Sequence, residues 1–326
     1  MPSTKRWRAG EGLSAVKTAL LVRWGMALLG ALLAAALIAG GLGRALPADP
    51  PVALPLGRGL NLDIYLIDLV RGVFANLSKN ALWDGDPAVS PDGRSVAFAS
   101  LEGGGAGVYR YDLDTGDIHR LTDITQSSGE PAWSPDGTRL VYTSTSPSTQ
   151  QDIYTMNPDG SDQRRLTDYP GADYNPRWSP DGRWIAFVSD RQGNPADIYV
   201  MDADGSRPRR LTFHPGFDIR PAWSPDGAWL AFVSDRDGSL NLYRLPTACL
   251  ERAGCEAENP RQLTRWGINA GDIWWSADGA FILFWERSIG VPELYRLEVD
   301  CDIRPGGCIP ERLTQLGRSL TLMNTR

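Results

Sequence analysis

Apolar side chains in this chain come in short runs, rich in β-branched and aromatic residues and cut at close intervals by Asp, Asn, Pro and Gly. That is the pattern of short strands joined by tight turns. Residues 176–212 show it most cleanly. The strand 175–178 runs into Ser179-Pro180-Asp181-Gly182, where Pro presets φ, Asp bonds its own backbone and Gly supplies a left-handed residue. A buried strand is predicted over 184–189, a turn over 190–194, a third strand over 197–201 and a hairpin at Asp202-Ala203-Asp204-Gly205. Arg209-Arg210-Leu211-Thr212 closes the unit. A four-stranded meander of this size cannot bury both faces alone, so copies of it must stack.

Copies are present. The stretch Pro-Ala-Trp-Ser-Pro-Asp-Gly recurs almost verbatim with its Ser at Ser90 (a Val-Ser variant), Ser134, Ser179, Ser224 and Ser276 (a Trp-Ser-Ala-Asp-Gly variant), at steps of 44, 45, 45 and 52 residues. A period near 40 to 50 residues with strand content marks the blades of a propeller. Five full copies span 86–314, and a half-copy precedes them: 62–68 and 75–78 match the third and fourth strands. Val52-Ala53-Leu54-Pro55-Leu56 can supply its second strand, and Ser319-Leu320-Thr321-Leu322-Met323 its first. The expected fold is therefore all-β, a six-bladed β-propeller of four-stranded antiparallel blades whose last blade is closed by both chain ends. A five-bladed ring decorated by the terminal strands is the competing reading. The column Trp133, Trp178, Trp223 and Trp275 reads as packing between blades.

Ahead of the repeats, 24–43 is a run of 20 residues without a charge, bounded by Arg23 and Arg44. At about 1.5 Å per residue it reaches roughly 30 Å, the thickness of a bilayer core. Five basic side chains in 1–23 against Glu11 place that short segment in the cytoplasm, and the propeller outside the membrane, periplasmic or extracellular. A cleaved signal peptide is the alternative, and it leads to the same compartment. Residues 44–59, with Pro47, Pro50 and Pro51, read as a stalk, and 60–326 as the propeller.

All four cysteines lie late, Cys249 and Cys255 in the fourth full copy, Cys301 and Cys308 in the fifth. Each pair follows Leu-Tyr-Arg-Leu and precedes Leu-Thr, which suggests two local disulfides, 249 to 255 and 301 to 308. A four-thiolate zinc site across the two blades is the alternative. The net charge of −6 hides an asymmetry: residues 1–44 hold six basic side chains and one acid, so the remainder carries −11. An acidic ectodomain argues against nucleic acid as a partner and suits cations or a basic protein segment.

Signals for catalysis are thin, and no catalytic residue is nominated. There are two histidines, His119 at a fourth-strand position and His214 between blades, and no Gly-x-Ser-x-Gly elbow. The loops Asp190-Arg191-Gln192-Gly193 and Asp235-Arg236-Asp237-Gly238 look superficially like calcium loops but lack the full ligand pattern. One constellation remains. The first strand of each blade lines the axial channel, and the segments entering these strands supply Asp84, Asp86, Glu130, Asp173, Asp218 and Asp272. Carboxylates converging on one mouth would attract a divalent cation or a basic segment. Each could equally cap its own turn.

The motifs Pro-x-Trp-Ser-Pro-Asp-Gly, Phe-Val-Ser-Asp, Asp-Ile-Tyr-x-Met-x-x-Asp-Gly and Arg-x-Leu-Thr, carried most fully by 197–212 and 221–233, resemble the TolB-type, WD-like propeller repeat from Asp63 onward. The resemblance implies a six-bladed extracytoplasmic propeller whose relatives bind other proteins through the channel mouth. The same repeat also occurs in the propeller halves of prolyl-oligopeptidase-like peptidases. Unlike TolB, this chain has only a stalk between anchor and first strand, and it lacks the hydrolase domain of the peptidases. Two functions follow as expectations: a membrane-tethered module binding a protein or peptide, or a metal-assisted hydrolase or lyase using the mouth carboxylates. A sensor ectodomain reporting through the helix is a third.

Overall fold

The computed structural model describes residues 52–58, 61–68, 73–145, 150–193, 195–251, 260–265, 267–268, 270–286, 293–303 and 308–313. The 24–43 segment, 319–323 and Cys255 lie outside them. Among the described residues no helix is long and apolar enough to cross a membrane.

Six antiparallel sheets form the six blades, which excludes the five-bladed alternative. Five have four strands in sequential order. The first blade holds β4 (Asp84–Val89), β5 (Ser95–Ser100), β6 (Gly107–Asp112) and β7 (Ile118–Arg120), with β1 to β3 belonging to the sixth blade below. The second holds β8 (Ser127–Trp133), β9 (Leu140–Thr145), β10 (Gln151–Met156) and β11 (Arg164–Arg165). The third holds β12 (Asp173–Trp178), β13 (Trp184–Ser189), β14 (Asp197–Asp202) and β15 (Arg209–Arg210). The fourth holds β16 (Asp218–Trp223), β17 (Trp229–Ser234), β18 (Asn241–Pro246) and β19 (Arg261–Gln262). The fifth holds β20 (Ala270–Trp275), β21 (Phe281–Glu286), β22 (Glu293–Glu298) and β23 (Glu311–Arg312). The sixth has three described strands, β1 (Val52–Arg58), β2 (Asn61–Asp68) and β3 (Val73–Asn76), in the order β1-β2-β3. Residues 52–58 are therefore strand, paired with β2 from Val52 opposite Ile67 to Arg58 opposite Asn61, and not the end of a stalk.

Local chemistry repeats with the sequence. In each turn between first and second strands the Ser hydroxyl donates to the Asp two residues on and accepts the amide that opens the next strand, as Ser179 does with Asp181 (2.5 Å) and Trp184 (2.9 Å). Gly182 takes φ 71° there, a conformation that glycine adopts without strain. The Leu-Thr motif has a second task. The hydroxyls of Ser78, Thr122, Thr167, Thr212 and Thr264 accept the third-strand amides of Ile64, Val108, Ile153, Ile198 and Leu242, pinning each outer edge to its blade. Ser78 makes the preceding half-copy a true third and fourth strand.

The core lies between blades. Trp184, Ala186, Val188, Ile198 and Val200 pack on Leu230, Phe232 and Tyr243 of the next blade, all buried. Three of the four column tryptophans tie neighbours together by donating to a backbone carbonyl of the previous blade: Trp133 to Ala88, Trp223 to Arg177 and Trp275 to Ala222, at 3.0 to 3.2 Å. The column is packing, as its indoles suggested. Cys301 and Cys308 are joined in the connection between β22 and β23.

Candidate functional site

The six nominated acids fall into two sets. Asp84, Asp173 and Asp218 begin their inner strands and are fully buried, so they do not line an open mouth. Asp173 is paired with Arg191 (2.8 Å) and Asp218 with Arg236 (3.0 Å), while Asp84 accepts from Asn80 (2.8 Å). Both arginines come from the loops that resemble calcium sites. Arg191 lies over Tyr169, Phe187 and Tyr199, and Arg236 over Phe232 and Tyr243. Asp190 and Asp235 in the same loops accept the amides of Ala172 and Phe217. At Asp173 and Asp218, carboxylates taken out of water at the start of a strand, the loop delivers an arginine.

Asp86, Glu130 and Asp272 do converge. They occupy one position, four residues before the turn Ser, together with Asn175 and Arg220 of the other copies. In each of the five described four-stranded blades the inner strand's pairing register shifts at this place, between Gly85 and Ala88, Gly129 and Ala132, Tyr174 and Arg177, Ile219 and Ala222, and Ala270 and Ile273. Asp86, Glu130, Asn175 and Arg220 each adopt φ near +50° to +57°, and each is followed by Pro. The bulge turns this side chain out of the blade toward the common axis, at a strain of order 1–3 kcal/mol per residue.

Around the axis the position forms contacts from blade to blade. Glu130 accepts from the Asn175 amide (2.7 Å), from Asn175 Nδ2 (2.5 Å) and from the Thr143 hydroxyl (2.7 Å). Asp272 takes Arg220 at 3.1 Å and Arg177 at 3.6 Å. Asp86 has no hydrogen bond or ion pair to its carboxylate among the described residues. Burial, then the charges of Asp272 and Glu130, push it up to about 7 against the pull of Arg177 and Arg220. The axis thus carries three acids, two arginines and an asparagine, with one carboxylate left unmatched.

A cavity of about 400 Å³ is lined by Arg177 and Asp272 of this ring and by Pro91, Ser276 and Ala277 of the turns between first and second strands. Trp133, Trp274 and Trp285 with Pro55 of β1 form part of its wall. Asn175 and Arg220 stand immediately before a Pro, as Asp86 and Glu130 do, and the four-residue interval to the turn Ser extends the series to Asp272; Arg177, one residue after that Pro, carries no such signal.

The histidines play no part in it. His119 is exposed on β7, and His214 accepts the Gly216 amide in a blade connection. Among the described residues no three His, Cys, Asp or Glu side chains are placed to hold a metal ion.

Residues 148–227 match the family model described as the tricorn protease N-terminal beta propeller domain. No curated protein matches the chain. Among solved structures, TolB from Acinetobacter baumannii is 23% identical with a TM-score of 0.66, over 82% of this chain and 67% of that one. A putative TolB from Agrobacterium tumefaciens is 22% identical, TM-score 0.61, over 74% and 84%. An oligogalacturonate lyase in complex with manganese is 20% identical, TM-score 0.53, over 74% and 70%. At these identities the likeness is one of fold: this chain carries a TolB-like β-propeller.

Proposed function

We propose that this protein is a membrane-tethered, extracytoplasmic propeller that binds a protein or peptide segment at its axial ring, with a basic group seated against Asp86. The observation that carries the reading is Asp86 itself. Four αL bulges hold the ring in a strained conformation, and its other two carboxylates accept hydrogen bonds or ion pairs from neighbouring side chains while this one does not. A lysine, an arginine or a chain amino terminus would complete the set, and Arg177 and Arg220 would keep more than one such group from entering. The tether rests on the uncharged run 24–43 and the basic residues before it.

Metal-assisted lysis is the second reading, favoured by the likeness to a lyase solved with manganese. The residues do not fit a metal. Glu130 is held by Asn175 and Thr143 and Asp272 by Arg220, so two of the three acids would have to give up their partners.

The detergent-solubilised full chain, applied to an array of short peptides of varied charge, separates the readings. Retention of peptides with Lys, Arg or a free amino terminus, lost in Asp86→Asn, is the expected result. Equal retention by Asp86→Asn refutes the ring as the site, and stoichiometric manganese uptake with cleavage of a polyuronide favours the second reading.

A further inference from the structure

Arg191 and Arg236 are held in the same kind of cradle. In the third blade Asp173 stands opposite Ser189, and Arg191, two residues after that Ser, donates Nε to Ser189 Oγ (2.9 Å) and Nη2 to Asp173 (2.8 Å). In the fourth blade Asp218, Ser234 and Arg236 repeat the arrangement, with both bonds at 3.0 Å. Each guanidinium lies 4.8 to 5.3 Å from the centroids of a Phe–Tyr pair whose rings are 5.8 Å apart.

Elsewhere the inner-strand acid and the arginine are lost together. The second and fifth blades have Ser128 opposite Ser144 and Ala270 opposite Glu286, with Ser146 and Ser288 at the arginine's position. The first blade breaks the rule. Asp84 stands opposite Ser100, and Phe98 and Tyr109 are again 5.8 Å apart, but the arginine's position is Glu102. Its backbone is placed as theirs is: Ser100 Oγ accepts the Glu102 amide at 3.1 Å, as Ser189 and Ser234 accept those of Arg191 and Arg236 at 3.3 and 3.2 Å. Arg120, which lies over Tyr109, donates to the carbonyls of Glu102 and Thr122 and to the Tyr109 hydroxyl, and makes no ion pair among the described residues. Asp84 is thus a carboxylate with no exposed surface, one oxygen bonded only to the Asn80 amide (2.8 Å) and the other to nothing among the described residues. Asp173 also leaves one oxygen unbonded, but its other oxygen holds a guanidinium. Burying a carboxylate without a cation is costly.

We infer that the cradle of the first blade receives in trans what the third and fourth blades supply in cis: an arginine side chain, carried by a partner protein. The incoming guanidinium replaces the amide of half-buried Asn80 on Asp84. A fork of donors satisfies a carboxylate and a hydroxyl together, which selects arginine over lysine. Leu82 and Leu101, close along the chain to Asp84 and Ser100, and Ile124, against Gly104, are exposed, so apolar residues should flank that arginine. The site uses a different carboxylate from the axial ring and stands whether or not the ring binds anything. Arginine between apolar residues is then the one sequence whose retention outlasts Asp86→Asn.

The affinities of the detergent-solubilised full chain for acetyl-Leu-Arg-Leu-amide, and for its counterpart with citrulline, which keeps the shape and loses the charge, test the inference. The parent and Asp86→Asn should bind the arginine peptide at least about tenfold more tightly than the citrulline one. Glu102→Arg, which places the arginine in cis, and Asp84→Asn should bind the two alike, and Glu102→Arg should unfold at higher denaturant than the parent. An arginine preference kept in full by Glu102→Arg, or absent from the parent, overturns the inference. A preference lost in Asp86→Asn alone also overturns it and assigns the guanidinium to the ring.

Discussion

Glu130 reaches across a blade boundary to Asn175, the residue at its own position in the next repeat, and takes both the backbone amide (2.7 Å) and the side-chain amide (2.5 Å) of that residue. Two αL residues are thereby locked to each other, so the contact holds the bulges as well as the blades. Hydrogen bonds to a charged group contribute about 1.5–3 kcal/mol. Asn175→Ala should lower stability in denaturant by that order, and Glu130→Gln by less, because one amide oxygen still accepts. A loss below about 0.5 kcal/mol in Asn175→Ala would show that the bulges hold themselves.

The pair of Arg191 with Asp173 is buried on both sides. Removing one partner strands the other charge, at a cost of about 3–5 kcal/mol. Arg191→Met should therefore be far more damaging than the double variant Arg191→Met/Asp173→Asn. Additive losses in a double-mutant cycle would contradict the pairing.

Asp86 gives a stability slope with pH. Its folded-state pKa lies near 7, above the ordinary carboxylate value that the unfolded chain retains, because of burial and the charges of Asp272 and Glu130, opposed by Arg177 and Arg220. The folded state then binds the extra proton between the two values, so Asp86 costs stability progressively as pH rises from about 4 to about 7. The ceiling is about 4 kcal/mol, three units of pKa. Asp86→Asn should be the more stable protein at pH 8 and equal to the parent near pH 4, as read from denaturation midpoints. Equal midpoints at pH 8 would place Asp86 in ordinary solvent.

The disulfide between Cys301 and Cys308 closes a short loop, with a sequence separation of 7. On chain entropy alone it is worth about 2–2.5 kcal/mol. Cys301→Ser/Cys308→Ser should lower the thermal midpoint by a few degrees and leave peptide binding unchanged, since the loop lies far out on its blade.

The blades were legible because each strand carries its own turn chemistry and the copies confirm one another. Ser179-Pro180-Asp181-Gly182 reads the same way in isolation and in the fold. The ring was half legible. Asp86 and Asp173 are both acids within a few residues of an inner-strand start, yet one faces the axis and the other is buried against Arg191. What separates them is the bulge, a two-residue backbone event that hydrophobic periodicity does not report. Lining up the residue four before each turn Ser exposes it, and with it Asn175 and the basic member Arg220.

The most direct measurement is the affinity of the full chain for the peptide it retains best, followed from about pH 5 to about pH 8 in the parent and in Asp86→Asn. Binding of a basic group by an ionised Asp86 should tighten as pH rises through about 7 in the parent and stay flat and weak in the variant. Equal affinities at every pH in the two proteins would contradict the account.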